Sequence, residues 1–160
     1  DQNGGDRGVF VPFFNRLAST YKSIGLLALQ FNATVVCGGA RRVPMHKRLN
    51  KTGLGYQIEI TDVFGPADWS SHPDPLFYLT ARYRRAIELQ VRRAPEQYLW
   101  MHRIWRSRPR HERMNRPFPG AFVEKLRSLP WVTEADIEAI KEHSVRDTRT
   151  LLETGQDRLS

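Results

Sequence analysis

Segment 95–109 carries the side chains best suited to chemistry in this chain. It holds one histidine, three arginines and three further aromatic rings, with the basic side chains at His102, Arg103, Arg106 and Arg108. A guanidinium binds phosphate or carboxylate through paired N–H donors, and an imidazole can donate or accept a hydrogen bond. These residue types therefore indicate a site that binds an anion.

The same segment is predicted to form a short helix. Pro95 suits a first helical position, and Glu96 in the first turn suits the helix dipole. Four side chains would then share one helix face: Tyr98, Met101, His102 and Trp105. Such a face more often packs in a core than binds a ligand, so His102 stays open between a core role and a substrate contact. The three arginines are the stronger binding candidates.

Positive charge is concentrated around this segment. Residues 82–116 contain eleven arginines, no lysine and three glutamates, a balance of +8 that equals the formal charge of the whole chain. Arginine in place of lysine favours planar, bidentate recognition of phosphate or carboxylate. The alternative is an arginine-rich helix surface that is simply solvated.

The composition limits the class of protein. A chain of 160 residues with 40% hydrophobic content can bury one core of ordinary size. The single cysteine, Cys37, excludes an internal disulfide framework and a cysteine-based zinc site, and it is expected to pack as a small apolar side chain. No apolar stretch approaches the roughly 20 residues of a membrane span. We predict no cofactor and no metal site.

The elements that position these side chains alternate between helix and strand. Thr20 is a predicted N-cap for a helix to about residue 32, and Asp74 caps a longer helix to about residue 94. Between them, strand 34–41 and the alternating strand 56–64 are predicted to form a hairpin, with a bulge at Gly38-Gly39. This order indicates an α/β fold.

Two further arginines follow the first of these strands. Arg41 and Arg42 leave a buried strand directly, which makes them candidates for holding a substrate phosphate. Salt bridges at the strand end are the equally weighted alternative.

The last third of the chain differs in sequence pattern from the rest. Residues 1–110 are predicted to be the main domain, 111–132 a linker and 133–160 a helical tail. Thr133, with Asp136 at the third helical position, caps the tail helix. Its apolar stripe is thin, so we expect it to lie on the domain as a surface appendage.

Several blocks of the sequence, taken in order, resemble a known family. They are Asp1-Gln2-Asn3, the run 8–14, Ala18-Ser19-Thr20, Arg41-Arg42 and segment 95–109. Over roughly residues 1–110 this order is similar to the later blocks of bacterial lipid A biosynthesis acyltransferases, the lauroyl and myristoyl transferases.

The resemblance implies an enzyme of lipopolysaccharide biosynthesis. Such an enzyme transfers a fatty acyl chain from acyl carrier protein, or from coenzyme A, to a hydroxyl of a phosphorylated glycolipid. It implies a mixed-sheet α/β sandwich of the glycerol-phosphate acyltransferase type, here truncated at its N-terminus, at the cytoplasmic face of the cell inner membrane and in contact with the membrane surface. The substrate-binding residues it suggests are Asp1, Gln2, Arg41, Arg42, His102, Arg103, Arg106 and Arg108.

The family's catalytic signature is missing from this chain. That signature is a histidine, four intervening residues and then Asp or Glu, in which the imidazole acts as general base. None of the five histidines has a carboxylate at that spacing, and His143 has only three residues before Asp147. We therefore interpret His143 as a solvated helix residue and expect the catalytic histidine upstream of Asp1. The chain starts without Met, is expected to be the back part of a longer protein, and should be inactive alone.

A different class of function also fits the charge. A basic module that binds anions or nucleic acid without catalysis would show the same arginine stripe with interleaved aromatic rings. No recognised nucleic-acid-binding motif accompanies the stripe, so we predict no nucleic-acid partner. For Asp1 a loop-capping role, and for Gln2 a solvated position, is the alternative to a place at the active-site cleft.

Overall fold

A computed structural model describes residues 2–47 and 55–159 of the chain. The described strands form two separate two-stranded antiparallel sheets, surrounded by helices, so the predicted combination of helices and strands is confirmed. The elements are β1 (Val9–Phe13), β2 (Arg16–Thr20), α1 (Ser23–Phe31), β3 (Val35–Arg42), β4 (Tyr56–Phe64), α2 (Pro66–Trp69), α3 (Pro75–Arg93), α4 (Arg110–Arg113), α5 (Gly120–Arg127) and α6 (Glu134–Thr154).

Helix α3 is the central element. Pro75 at its first position and the Asp74 side chain, which accepts a hydrogen bond from the Phe77 amide at 3.0 Å, fix its start as predicted. Its apolar stripe includes the buried Leu79 and Tyr83. The helix packs against β1, α1 and β3, so it joins both sheets into one core.

The hairpin of β1 and β2 was not predicted from the sequence. Its two-residue turn consists of Phe14 and Asn15, both at positive φ of 53° and 51°, which matches the twist of a tight hairpin. The Phe14 amide donates to Glu88 Oε2 at 2.7 Å, and the Asn15 side chain donates to Asp136 Oδ1 at 3.0 Å. Contacts from α3 and α6 therefore hold a turn that lacks glycine.

The β3–β4 pair is confirmed. The strands pair antiparallel, and the register shifts between Cys37 and Gly38, as the glycine pair predicts. A side chain at Gly39 would meet Gln90 of α3 at 2.5 Å, so the second glycine allows close packing. Cys37 is half-buried beside the core.

Two helix predictions are wrong. Helix α1 begins at Ser23 instead of following Thr20, because Thr20 pairs with Val9 as the last residue of β2. Segment 95–109 is not a helix: Pro95 opens a three-residue 3₁₀ turn, and Tyr98 then adopts an extended conformation. Tyr98, Ile104 and Trp105 of this segment pack on the β1–β2 hairpin instead, so tertiary contacts override the local helix signals.

The C-terminal region is part of the core. The interval 111–132 contains α5, whose Leu126 is fully buried. Helix α6 has the predicted capping box of Thr133 and Asp136, but Ile137 and Ile140 pack in the main core. The expectation of a surface appendage is therefore wrong. Among the described residues, no helix is both long and apolar enough to cross a membrane.

Candidate anion-binding cleft

Four parts of the chain line an open cleft of about 480 Å³. One wall is the loop before β1, the second is the irregular segment 101–107, the third is a single residue near the C-terminus, and Tyr21 after β2 completes the lining. We call it the basic cleft, and its lining residues are Gln2, Asn3, Gly4, Gly5, Tyr21, Met101, His102, Arg103, Arg106, Ser107 and Arg158. Four of the predicted binding residues therefore meet in one place.

Asn3 holds the first two walls together. Its side-chain amide donates to the backbone carbonyl of Ile104 at 2.8 Å, and its carbonyl oxygen accepts from the Gly5 amide at 2.8 Å. Gly4 donates to the Ser19 carbonyl at 2.9 Å, which fixes the loop against β2. The first block of the sequence and segment 95–109 are thus joined directly by hydrogen bonds.

Core packing sets the direction of the arginines. Ile104 is buried against the β1–β2 hairpin, and the Trp105 ring lies 5.8 Å from that of Phe13. Arg103 and Arg106, which flank these two anchors, are exposed. Both arginines therefore point towards solvent, although the segment is not helical.

The lining of the cleft carries several hydrogen-bond donors of positive or polar character. Arg103, Arg106 and Arg158 supply guanidinium groups, and His102 is half-buried beside them. None of the described lining residues is acidic. Asp6 is close by, where its carboxylate pairs with Arg158 at 2.9 Å. Paired N–H donors around a concave surface suit a phosphate monoester.

Arg108 does not reach the cleft. Its side chain is fully buried and binds Glu112 through two hydrogen bonds, of 2.6 and 2.9 Å. It also donates to the Leu17 carbonyl at 2.5 Å and pairs with Asp147 at 2.6 Å. These contacts hold the Arg108 side chain inside the protein, so its hydrogen-bond donors bind interior groups and not an external anion.

Arg108 is the centre of a buried ion network. Arg16 also binds Asp147, through hydrogen bonds of 2.9 and 2.5 Å, so two arginines balance two carboxylates. Ser144 donates to Glu112 at 2.8 Å. The network joins β2, α4 and α6, and the pairing of its charges offsets their desolvation.

His143 is half-buried on α6. Arginine occupies both carboxylate oxygens of Asp147, the acidic residue that follows His143 in the sequence.

Comparison with known proteins shows that most of the chain matches one family. Residues 1–107 match the family model of the bacterial lipid A biosynthesis acyltransferases. The chain belongs to this family. It is 32% identical over 111 residues to the lipid A biosynthesis lauroyltransferase of Escherichia coli K12, which covers 68% of this chain and 33% of that protein.

Two other acyltransferases match a similar share of the chain. The lipid A biosynthesis palmitoleoyltransferase of Escherichia coli K12 is 30% identical over 112 residues, covering 68% of this chain and 32% of that protein. The lipid A biosynthesis acyltransferase of Haemophilus influenzae is 30% identical over 108 residues, covering 66% and 31%. The chain thus spans about a third of the length of these curated relatives. No solved structure matches it.

The lipid A acyltransferase match and the basic cleft overlap only in part. Gln2, His102, Arg103 and Arg106 lie inside the matched residues, whereas Arg158 lies outside them. Asp1 is also matched by the family model but falls outside the described residues.

Arg41 and Arg42 line a different surface. Arg41 binds Gln57 at 3.1 Å and Glu59 at 3.2 Å, and Arg93 also binds Glu59, so the two guanidinium groups lower the pKa of that carboxyl. Arg41, Glu59 and Arg93 border a groove of about 330 Å³ between β3 and α3. Arg42 lines an adjoining hollow of about 600 Å³, and neither space shares a lining residue with the basic cleft.

Sequence reasoning does not predict Asn3, Tyr21 or Arg158 as residues of the cleft. Asn3 is part of a resembling block, and asparagine in a glycine-rich loop is a common side-chain anchor. Tyr21 follows β2 and enters the lining through the end of that strand. Arg158 carries no sequence signal at all, because its position depends on how α6 packs.

Proposed function

We propose that this chain forms the acceptor-binding part of a lipid A acyltransferase, with the basic cleft holding a phosphate of the glycolipid acceptor. The observation that carries the proposal is the convergence of Gln2, His102, Arg103 and Arg106 in one cleft within the family-matched residues. Arginine donors would orient the acceptor by its phosphate, which places a sugar hydroxyl at a fixed distance from the reacting centre.

In the complete reaction, an acyl chain would pass from acyl carrier protein or coenzyme A to that hydroxyl. No histidine of this chain is followed, after four residues, by Asp or Glu. We therefore assign the general base to a part of the enzyme outside this sequence and expect this chain to be inactive alone. The fold of the complete domain would be a sandwich of the glycerol-phosphate acyltransferase type. We expect no cofactor at the cleft.

The surface beside the cleft suits the membrane at which such a lipid resides. Leu99, Trp100 and Met101 are consecutive and exposed, and residue Met101 is 83% exposed. Tryptophan and apolar side chains next to arginine are typical of membrane interfaces with anionic lipids. We propose contact with the cytoplasmic face of the inner membrane through this surface.

The test compares two anionic ligands of matched charge. Vesicles that contain phosphatidic acid are sedimented with the chain, in parallel with single-stranded DNA. We expect binding to the phosphate-bearing vesicles, weakened roughly 10- to 100-fold when Arg103→Ala and Arg106→Ala are combined, because each removes charge-assisted hydrogen bonds. The double variant Arg113→Ala and Arg116→Ala removes equal charge from exposed positions away from the cleft and serves as control.

Two results would contradict the proposal. Equal loss in the cleft variant and in the control variant would mean that binding follows net charge alone. A preference for single-stranded DNA over the vesicles would favour a nucleic-acid-binding module instead.

A further inference from the structure

We propose that Arg158 is a third phosphate-binding arginine of the basic cleft, so that the binding site extends beyond the family-matched residues. The inference rests on the proposed function, because it assigns a further ligand contact to the same cleft. Its chemistry is that of a phosphate monoester, carried by a sugar or by a lipid.

The path of the chain brings Arg158 to this position. Helix α6 ends at Thr154, and Gly155 follows in the left-handed conformation with φ of 65°, which turns the chain back. Arg158 then forms an antiparallel bridge with Ser107, and the Leu159 amide donates to the Arg106 carbonyl at 3.0 Å. Backbone pairing thus places Arg158 beside the second arginine of the cleft.

The helix that delivers Arg158 is firmly attached to the domain. Asp147 of α6 pairs with Arg108 and Arg16, and Ile137 and Ile140 are buried in the core. The buried ion network therefore positions the C-terminal segment relative to the cleft. Because Arg158 is already held in position, it can bind a ligand without the free-energy cost of ordering a loop.

The Arg158 side chain is available to a ligand. It is 44% exposed, and its ion pair joins one guanidinium nitrogen to Asp6, itself 41% exposed. An exposed pair of this kind contributes little to stability, so a doubly charged phosphate competes well with a single carboxylate. Arg158 would then exchange Asp6 for the phosphate or contact both.

The experiment measures soluble phosphate binding by NMR titration at low ionic strength. Glucose 1-phosphate is the probe, and inorganic phosphate and glucose are run in parallel to separate a sugar phosphate from the free anion and from the sugar. We expect Arg158→Ala to weaken glucose 1-phosphate binding roughly fivefold, because one partly exposed charge-assisted contact is lost. Arg149→Ala, an exposed arginine on α6, should change binding less than about twofold.

Substitution of Asp6 tests whether Arg158 contacts the ligand. If Arg158 had only a structural role, removing the charge of Asp6 would not change phosphate binding through Arg158. Asp6→Asn should tighten binding of glucose 1-phosphate in the native background, because it releases Arg158 from its partner. The same substitution should have a smaller effect when Arg158 is already alanine. Equal effects of Asp6→Asn in both backgrounds would overturn the coupling between the two residues.

The failure of this inference is distinguishable from that of the proposed function. If Arg103→Ala and Arg106→Ala weaken glucose 1-phosphate binding while Arg158→Ala matches Arg149→Ala, the cleft binds phosphate without Arg158. If none of these variants differs from the control, the phosphate-binding cleft itself is refuted. Thermal unfolding of Arg158→Ala checks that the exposed substitution leaves the fold intact.

Discussion

Protonation of His111 should destabilise this protein in mild acid. The ring is 10% exposed, lies 3.0 Å from the Ser144 hydroxyl by its Nε2 atom, and packs edge-on against Phe118. Burial, together with the positive charge of Arg108, lowers the pKa of His111 from 6.5 to about 4. The folded protein therefore keeps the ring neutral over a range in which the unfolded chain takes up a proton.

The sign and size follow from proton linkage. A group whose pKa is depressed in the folded state contributes stability above its unfolded pKa, and this stability is lost as the pH falls towards the folded pKa. For His111 the window runs from pH 6.5 down to about 4. At 1.36 kcal/mol per pKa unit, the full loss is about 3 kcal/mol, of which about 2 kcal/mol is lost by pH 5.

Urea unfolding at neutral pH and at pH 5 measures this loss. We expect His111→Asn to be less stable than the native protein at neutral pH, yet to lose about 2 kcal/mol less between the two conditions. His46→Asn, which changes an exposed histidine in a turn, is the matched control. Equal losses for the native protein and His111→Asn, or an NMR titration of His111 near 6.5, would refute the reasoning.

Two further substitutions test the interior and the cleft wall. Arg108→Ala should lower the free energy of unfolding by about 3–5 kcal/mol, because it leaves the buried Glu112 carboxylate without its arginine, whereas the exposed Arg110→Ala should have little effect. Denaturant titration measures both variants, and similar losses of stability would contradict the role of the ion network. Gly4→Ala should lower the melting temperature and weaken phosphate binding, because its methyl carbon would lie 2.7 Å from the Thr20 carbonyl carbon. Gly120→Ala, with open space around it, is the control, and a Gly4→Ala protein that melts and binds like it would refute the steric argument.

Local signals predicted the elements that carry their own caps and periodicity. The Asp74 cap, the Thr133–Asp136 capping box and the strand 56–64 appear in the structure. Each depends on neighbours within a few residues, so a linear pattern is sufficient. The apolar face of that strand was expected to be buried, but Tyr56, Ile58 and Ile60 are exposed, so this part of the prediction is wrong. The resemblance of the ordered blocks to the lipid A acyltransferases is confirmed by the family match over residues 1–107.

Long-range contacts decided the features that sequence reasoning missed. The turn Phe14-Asn15 lacks the usual Asn-Gly signal and is held by Glu88 and Asp136 from distant helices. The direction of Arg108 depends on a carboxylate of α6, which lies beyond the resembling blocks. Of the predicted site residues, Gln2, His102, Arg103 and Arg106 meet in the basic cleft, and their role there remains a prediction.

The Asn3 hydrogen bond also bears on how the protein folds. It joins residues 101 positions apart, and the bridge between Ser107 and Arg158 adds a third segment from the far end of the chain. Contacts of such long sequence separation require closure of large loops and tend to slow folding. The cleft is therefore expected to complete late, after the hairpin and the helices have assembled. A phosphate ligand would select the finished fold and stabilise it by mass action, without accelerating its formation.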